Sequence, residues 1–100
     1  MRFEVVVHEL AESELAELRT FDRRLLLDAM ESQLAHQPTQ ATRNRKRLDG
    51  LTPKFEHVPP VWELRVGDFR IFYDVDESIH VVNVRAVRRK WPHQTTEQIT

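Results

Sequence analysis

The stretch WELRVGDFRIFYDV, residues 62–75, constrains this chain more than any other. Two alternating apolar runs flank Gly67-Asp68. A glycine followed by aspartate between such runs marks a tight β-hairpin, because glycine reaches positive φ without steric cost. A two-residue loop then sets the register: Val66 faces Phe69, Leu64 faces Ile71 and Trp62 faces Tyr73. Side chains alternate along a strand, so these six apolar groups share one face. The other face carries Arg65 directly opposite Arg70, and like charges so placed destabilise a sheet. A face that binds phosphate would account for the pair, since the ligand supplies the missing negative charge.

The rest of the chain can be organised around this hairpin. FEVVVH (3–8) alternates as a strand does. In residues 9–38, Leu10 or Ala11, Leu15 and Leu18 recur at helical spacing. So do Leu26, Met30 and Leu34, with Phe21, Leu25 and Ala29 widening the stripe. Thr and Asp are good N-cap types, which places a break near Thr20–Asp22. A helical hairpin ending before Pro38 is expected. Residues 37–60 read as irregular, punctuated by Pro38, Gly50, Pro53, Pro59 and Pro60. Within them RNRKR (43–47) either extends a helix or sits in a loop. The hairpin strands are predicted at 61–66 and 69–75, followed by a turn at Asp76–Ser78 and a third strand, IHVVNVRAV (79–87). Pro92 is expected to open a short last helix. The order β-α-α-β-β-β predicts an α+β fold: a mainly antiparallel sheet with a helical hairpin packed on one face. The opposite face should be wet or bind something.

One hundred residues suit a single domain spanning 1–100. There is no cysteine, hence no disulfide framework and no thiolate metal site. His8, His36, His57 and His80 lack metal-ligand spacing, and no cofactor or metal is expected. No apolar run is long enough to span a bilayer, and none resembles a leader, so a cytoplasmic location is expected. The net charge of −1 conceals an asymmetry. Residues 1–34 hold four Arg against eight Asp or Glu (4 − 8 = −4), and residues 35–66 hold six basic against three acidic (6 − 3 = +3). Such segregation leaves room for a local anion-binding face.

WELRVGDFRIFYDVDE, followed by VVNVRAV, resembles the signature of the RelE/ParE superfamily of bacterial toxins, the toxic halves of toxin–antitoxin pairs. RLDGL (47–51) is similar to the leucine–glycine segment that precedes the hairpin in that family, and the order of elements agrees. The resemblance implies a cognate antitoxin as partner. It also implies one of two activities. RelE-like members cut mRNA in the ribosomal A site, so ribosome and mRNA are the partners. ParE-like members poison DNA gyrase, and a catalytically inactive, antitoxin-binding member is a further alternative.

In the RNase reaction a ribose 2′-OH attacks the adjacent phosphorus to give a 2′,3′-cyclic phosphate. A base must take the hydroxyl proton, and positive charge must stabilise the phosphorane. Arginine suits the second task, being always charged and offering a fork of donors to phosphate oxygens. By resemblance Arg70 is the hairpin catalytic arginine, Arg89 the second phosphate-contacting arginine and Arg65 a supporting one. The chain departs from the family where lysines are usual before the turn, reading Val61 and Glu63. It departs again in the tail, where a tyrosine is replaced by Trp91 and His93. Glu63 is a candidate base, and His93 a candidate acid or base because imidazole exchanges protons near neutral pH. Arg43, Arg45, Lys46, Arg47, Arg88 and Lys90 are expected to contact nucleic-acid phosphates, with salt-dependent affinity.

Overall fold

The computed structural model describes residues 2–100. Its elements run β1 (Glu4–Val7), α1 (Glu9–Ala16), α2 (Thr20–Leu34), β2 (Arg45–Arg47), β3 (Trp62–Val66), β4 (Phe69–Asp76), β5 (Val81–Arg89) and α3 (Thr96–Ile99). The five strands form one sheet in the order β1-β5-β4-β3-β2. β1 runs parallel to β5, and every other pairing is antiparallel. Among the described residues, no helix is long and apolar enough to cross a membrane.

The hairpin has the predicted register, pairing Trp62 with Tyr73, Leu64 with Ile71, Arg65 with Arg70 and Val66 with Phe69. Gly67 takes φ +56, the conformation that the tight turn demands of its first central residue. The helices pack Ala11, Leu15, Leu26, Met30 and Leu34 onto the face made by Trp62, Leu64, Phe69, Ile71, Tyr73, Val82, Val84 and Val87. The apolar stripe is narrower than expected. Ala11 is buried while Leu10 is exposed, and Phe21 and Leu25 stand 74% and 42% exposed. The helix break also falls earlier, at residues 17–19. Neither Thr20 nor Asp22 caps α2, whose N-cap is Arg19. Asp22 instead lies in the first turn, where the helix dipole favours an anion.

Two expectations about the far side of the sheet are corrected. RNRKR is neither helix nor loop throughout, because Arg45–Arg47 forms an edge strand against β3. Basic side chains on such a strand discourage pairing with another sheet. The far face is not simply wet. Phe55, Val61, Phe72, Ala86 and Ile99 form a second apolar cluster, with Leu48 packed against it. The 48–61 segment and α3 therefore cover part of that face. Proline-rich chain can do this because its main-chain groups find partners: Leu48 donates to Val61 O at 2.9 Å, and Lys54 to Thr100 O at 3.1 Å. The last helix starts at Thr96 rather than at Pro92, because Thr95 and Gln98 make a reciprocal capping box.

A bulge in β5 adds a buried clasp. Phe72 pairs with Ala86 but Tyr73 pairs with Val84, which leaves Arg85 as the extra residue. Its guanidinium meets Asp74, with Nε 2.7 Å from one carboxylate oxygen and Nη2 3.3 Å from the other. Asp74 also accepts from the Val58 N–H at 2.9 Å and from Asn83 Nδ2 at 3.1 Å. The buried carboxylate thus ties the 55–58 region to the sheet. At the open edge beyond β1, Glu14 of α1 accepts from the Val87 N–H at 2.9 Å and satisfies a donor that no strand reaches.

Tyr73 is fully buried and donates its hydroxyl to Pro38 O at 2.6 Å. Burial pushes its phenol well above the ordinary value of 10.0, a rise that Arg45 partly offsets. A raised pKa means that the folded state holds the proton more tightly. The contribution to stability is complete below pH 10 and is lost as pH climbs above it. Between pH 10 and 12 the wild type should lose about 1 kcal/mol per pH unit more than Tyr73→Phe. Denaturant melts across that range check it, and parallel curves for the two proteins would contradict it.

Candidate functional site

The strands of the hairpin deliver Glu63, Arg65 and Arg70 to the far face, beyond the patch covered by the 48–61 segment. There a cleft of about 430 Å³ opens between the β2 edge and the C-terminal segment. Arg43, Lys46, Arg65, Arg70 and Lys90 line it, together with Arg45, Thr42, Asn44, Gln94, Thr95 and Thr96. Among the described residues, Glu63 is the one carboxylate in the lining. The register explains why Lys46 faces the cleft and Arg47 does not, because Lys46 pairs with Glu63 and shares its face; Arg45 borders the cleft while its guanidinium turns to main-chain carbonyls.

The opposed arginines do not meet head to head. Arg65 is exposed, while the Arg70 side chain is only 11% exposed and turns toward its own hairpin. Its Nη1 donates to Gly67 O at 2.9 Å and to Phe69 O at 2.8 Å. Its Nε lies 3.9 Å from Glu63 Oε1, and the Glu63 side chain is 5% exposed. Glu63 also accepts from the Thr96 hydroxyl at 3.4 Å. A carboxylate diagonal to Arg70 thus supplies the counter-charge.

The other expected site residues separate into groups. Lys90 reaches the cleft, its backbone fixed by donation to Asp68 O at 2.7 Å. Arg89 does not join Arg70. It pairs with Phe69 in register, on the helix-facing side, and lies 3.7 Å from Asp22 with its guanidinium over the rings of Phe69 and Trp91. His93 is exposed and is not part of the cleft lining. Arg88 is held by Glu14 at 2.5 Å and donates to Ile99 O at 2.8 Å. Arg45 is buried and donates to Gln33 O in the last turn of α2 and to Gln40 O beyond it. Arg47 pairs with Asp49 at 3.1 Å. The polar wall of Gln94, Thr95 and Thr96 gave no signal in the sequence, since only folding brings the tail beside β3.

The pair has an energetic consequence. Arg70→Ala should cost about 2–3 kcal/mol, because it strands a buried carboxylate. Adding Glu63→Gln should recover a good part of that loss. Arg65→Ala should stay within about 0.5 kcal/mol of wild type. Denaturant unfolding of the four proteins tests this, and an Arg70→Ala variant as stable as wild type would show that the pair contributes nothing.

The family model described as ParE toxin of type II toxin-antitoxin system, parDE, matches residues 5–91. No curated protein sequence matches the chain. Among solved structures, the archaeal RelE–RelB complex from Pyrococcus horikoshii is similar at 20% identity and a TM-score of 0.68, covering 92% of this chain and 99% of that one. The RelBE2 toxin–antitoxin complex of Mycobacterium tuberculosis is similar at 18% identity and a TM-score of 0.70, with coverage of 89% and 92%. The free E. coli toxin RelE, carrying two arginine substitutions, is similar at 21% identity and a TM-score of 0.65, with coverage of 89% and 84%. At these identities the structures speak for the fold, and the match over residues 5–91 speaks for the lineage: the chain belongs to the ParE toxin family of type II toxin–antitoxin systems, within the RelE/ParE superfamily.

Proposed function

We propose that this toxin is a ribosome-dependent mRNA endonuclease and that its cleft holds the scissile phosphate. The observation that carries this reading is the gathering of Arg43, Lys46, Arg65, Arg70 and Lys90 around one carboxylate, Glu63. The 2′-oxygen attacks phosphorus as Glu63 takes its proton. The bond to the 5′-oxygen breaks, leaving a 2′,3′-cyclic phosphate and a 5′-hydroxyl that is protonated from solvent in the open cleft. Arg70, already oriented by two main-chain carbonyls, stabilises charge on the phosphorane with little reorganisation. Arg65, Lys46 and Lys90 hold flanking phosphates.

Arg70→Ala should lower cleavage of ribosome-bound mRNA at least about 100-fold. Arg65→Ala with Lys46→Ala should weaken cleavage without loss of stability, since both side chains are exposed. Mapping of cleavage products with and without ribosomes decides the matter. One observation favours a second reading. Arg89 lies on the opposite face from Arg70, and the tail histidine stays outside the cleft, so part of the expected catalytic set is not assembled. Loss of gyrase supercoiling activity, with no mRNA cut, would establish that reading instead.

The partner reading follows from the helical hairpin. A cognate antitoxin would place an amphipathic segment against it, where Phe21 and Leu25 stand exposed one turn apart on α2. Co-expressed toxin and antitoxin should elute as one complex at micromolar concentration. Phe21→Glu should weaken that complex while leaving the melting temperature of the toxin unchanged. Separate elution of the wild-type pair would contradict this.

A further inference from the structure

The sheet has two edges, β2 and β1, and they are finished differently. β2 consists of Arg45, Lys46 and Arg47, a basic strand of the kind that discourages further pairing. β1 reads Glu4, Val5, Val6 and Val7, with no basic residue, no proline and an unbroken register against β5. That register fixes which main-chain groups stay free. The Glu4 N–H donates to His80 O at 2.9 Å and the His8 N–H to Val84 O at 2.9 Å, so Glu4, Val6 and His8 turn their main-chain groups toward β5. Val5 and Val7 turn theirs outward, where no described residue meets them. The side chains divide the other way. Val5 and Val7 pack against the helical core, whereas Val6 is half-buried and belongs to neither apolar cluster. Glu4 is exposed and shares the far face with Val6.

This edge is complementary to itself. In an antiparallel pair, one register matches free groups with free groups: Val5 of each copy opposite Val7 of the other. Slipping it toward the N-terminus would call on the Phe3 N–H, which is already committed to Ala35 O at 2.8 Å. Slipping it the other way would call on Glu9, the first residue of α1. The permitted register sets Val6 opposite Val6. It also sets Glu4 opposite His8, behind which the cationic Arg85 lies 3.5 Å away, so no like charges face one another across the contact. We propose that β1 is a homodimerisation edge: a second copy of this chain adds its own β1 across a two-fold axis, and one sheet runs through both molecules. A two-fold contact of this kind closes on itself and recruits no third copy. The clefts lie beside β2, at the outer ends of the joined sheet, so both stay open.

The test is sedimentation velocity of purified full-length toxin, free of antitoxin, across the micromolar range. Wild type should behave as a monomer–dimer equilibrium. Val6→Lys places two ammonium groups face to face at the two-fold axis and should weaken the dimer at least about tenfold. Its melting temperature should be unchanged, because residue 6 stands outside both apolar clusters. Val6→Cys introduces the sole thiol of the chain. The register brings the two Cβ atoms at that position to about 5 Å, so mild oxidation should link the copies covalently. Val5→Cys faces Val7 of the second copy and should stay unlinked. The disulfide readout stands even if the lysine variant fails to fold. A wild type that is monomeric throughout overturns the proposal, as does a dimer that Val6→Lys leaves intact or a Val6→Cys variant that does not link. If the toxin alone is monomeric and Val6→Lys instead weakens the antitoxin complex, the edge belongs to the antitoxin and the proposal equally falls.

Discussion

The diagonal contact between Glu63 and Arg70 lets the β3–β4 hairpin carry two arginines at directly opposed positions. In a bare ladder the pair would repel, and repulsion at a tight turn would work against the register that also aligns Trp62, Leu64 and Val66 with the helical layer. Glu63 removes much of that cost by drawing Arg70 inward, while Arg65 stays in solvent. The same carboxylate accepts from Thr96, so the contact also joins the hairpin to the C-terminal segment. Core register, cleft floor and cleft wall therefore share one ionic group.

The rest of the fold protects this arrangement by keeping other charges occupied. Arg85 is committed to Asp74, Arg88 to Glu14 and Arg89 to Asp22. Arg45 spends its donors on carbonyls at and just beyond the end of α2. Many of the basic residues that look alike in sequence are thus neutralised or hydrogen-bonded elsewhere. Arg43, Lys46, Arg65 and Lys90, which stand outside these contacts, line one cleft together. An anion approaching that cleft meets charge with a single buried counter-ion, which is the electrostatic condition for binding phosphate rather than repelling or ignoring it.

The hairpin, its register and its apolar face were legible from Trp62 to Val75, because period-two alternation around Gly67-Asp68 admits one solution. The helical pair and the third strand of that region were legible for the same kind of reason. The edge strand at Arg45–Arg47 was not, since three basic residues carry no periodic signal and pair only because β3 offers an edge. The cover on the far face was hidden as well. Phe55, Val61 and Ile99 lie in segments without regular pattern, and only the tertiary fold brings them to Phe72 and Ala86. Within the site, parity along a strand was enough to unite Arg65 and Arg70. Arg89 was expected in the site by resemblance alone; the extra residue at Arg85 shifts the alternation of β5 by one, so Arg89 shares the face of Phe69. No local pattern in RNRKR distinguishes Lys46, which enters the cleft, from Arg45, which turns to main-chain carbonyls.

The central claim is that the cleft binds phosphate through the cations that line it. It is tested most directly by following arginine side-chain N–H resonances while short single-stranded RNA is added to isotope-labelled protein. The account predicts that Arg65 and Arg70 shift together and saturate, while Arg85, committed to Asp74, stays where it is. Unmoved Arg65 and Arg70 signals, or shifts confined to the helical hairpin, would contradict it.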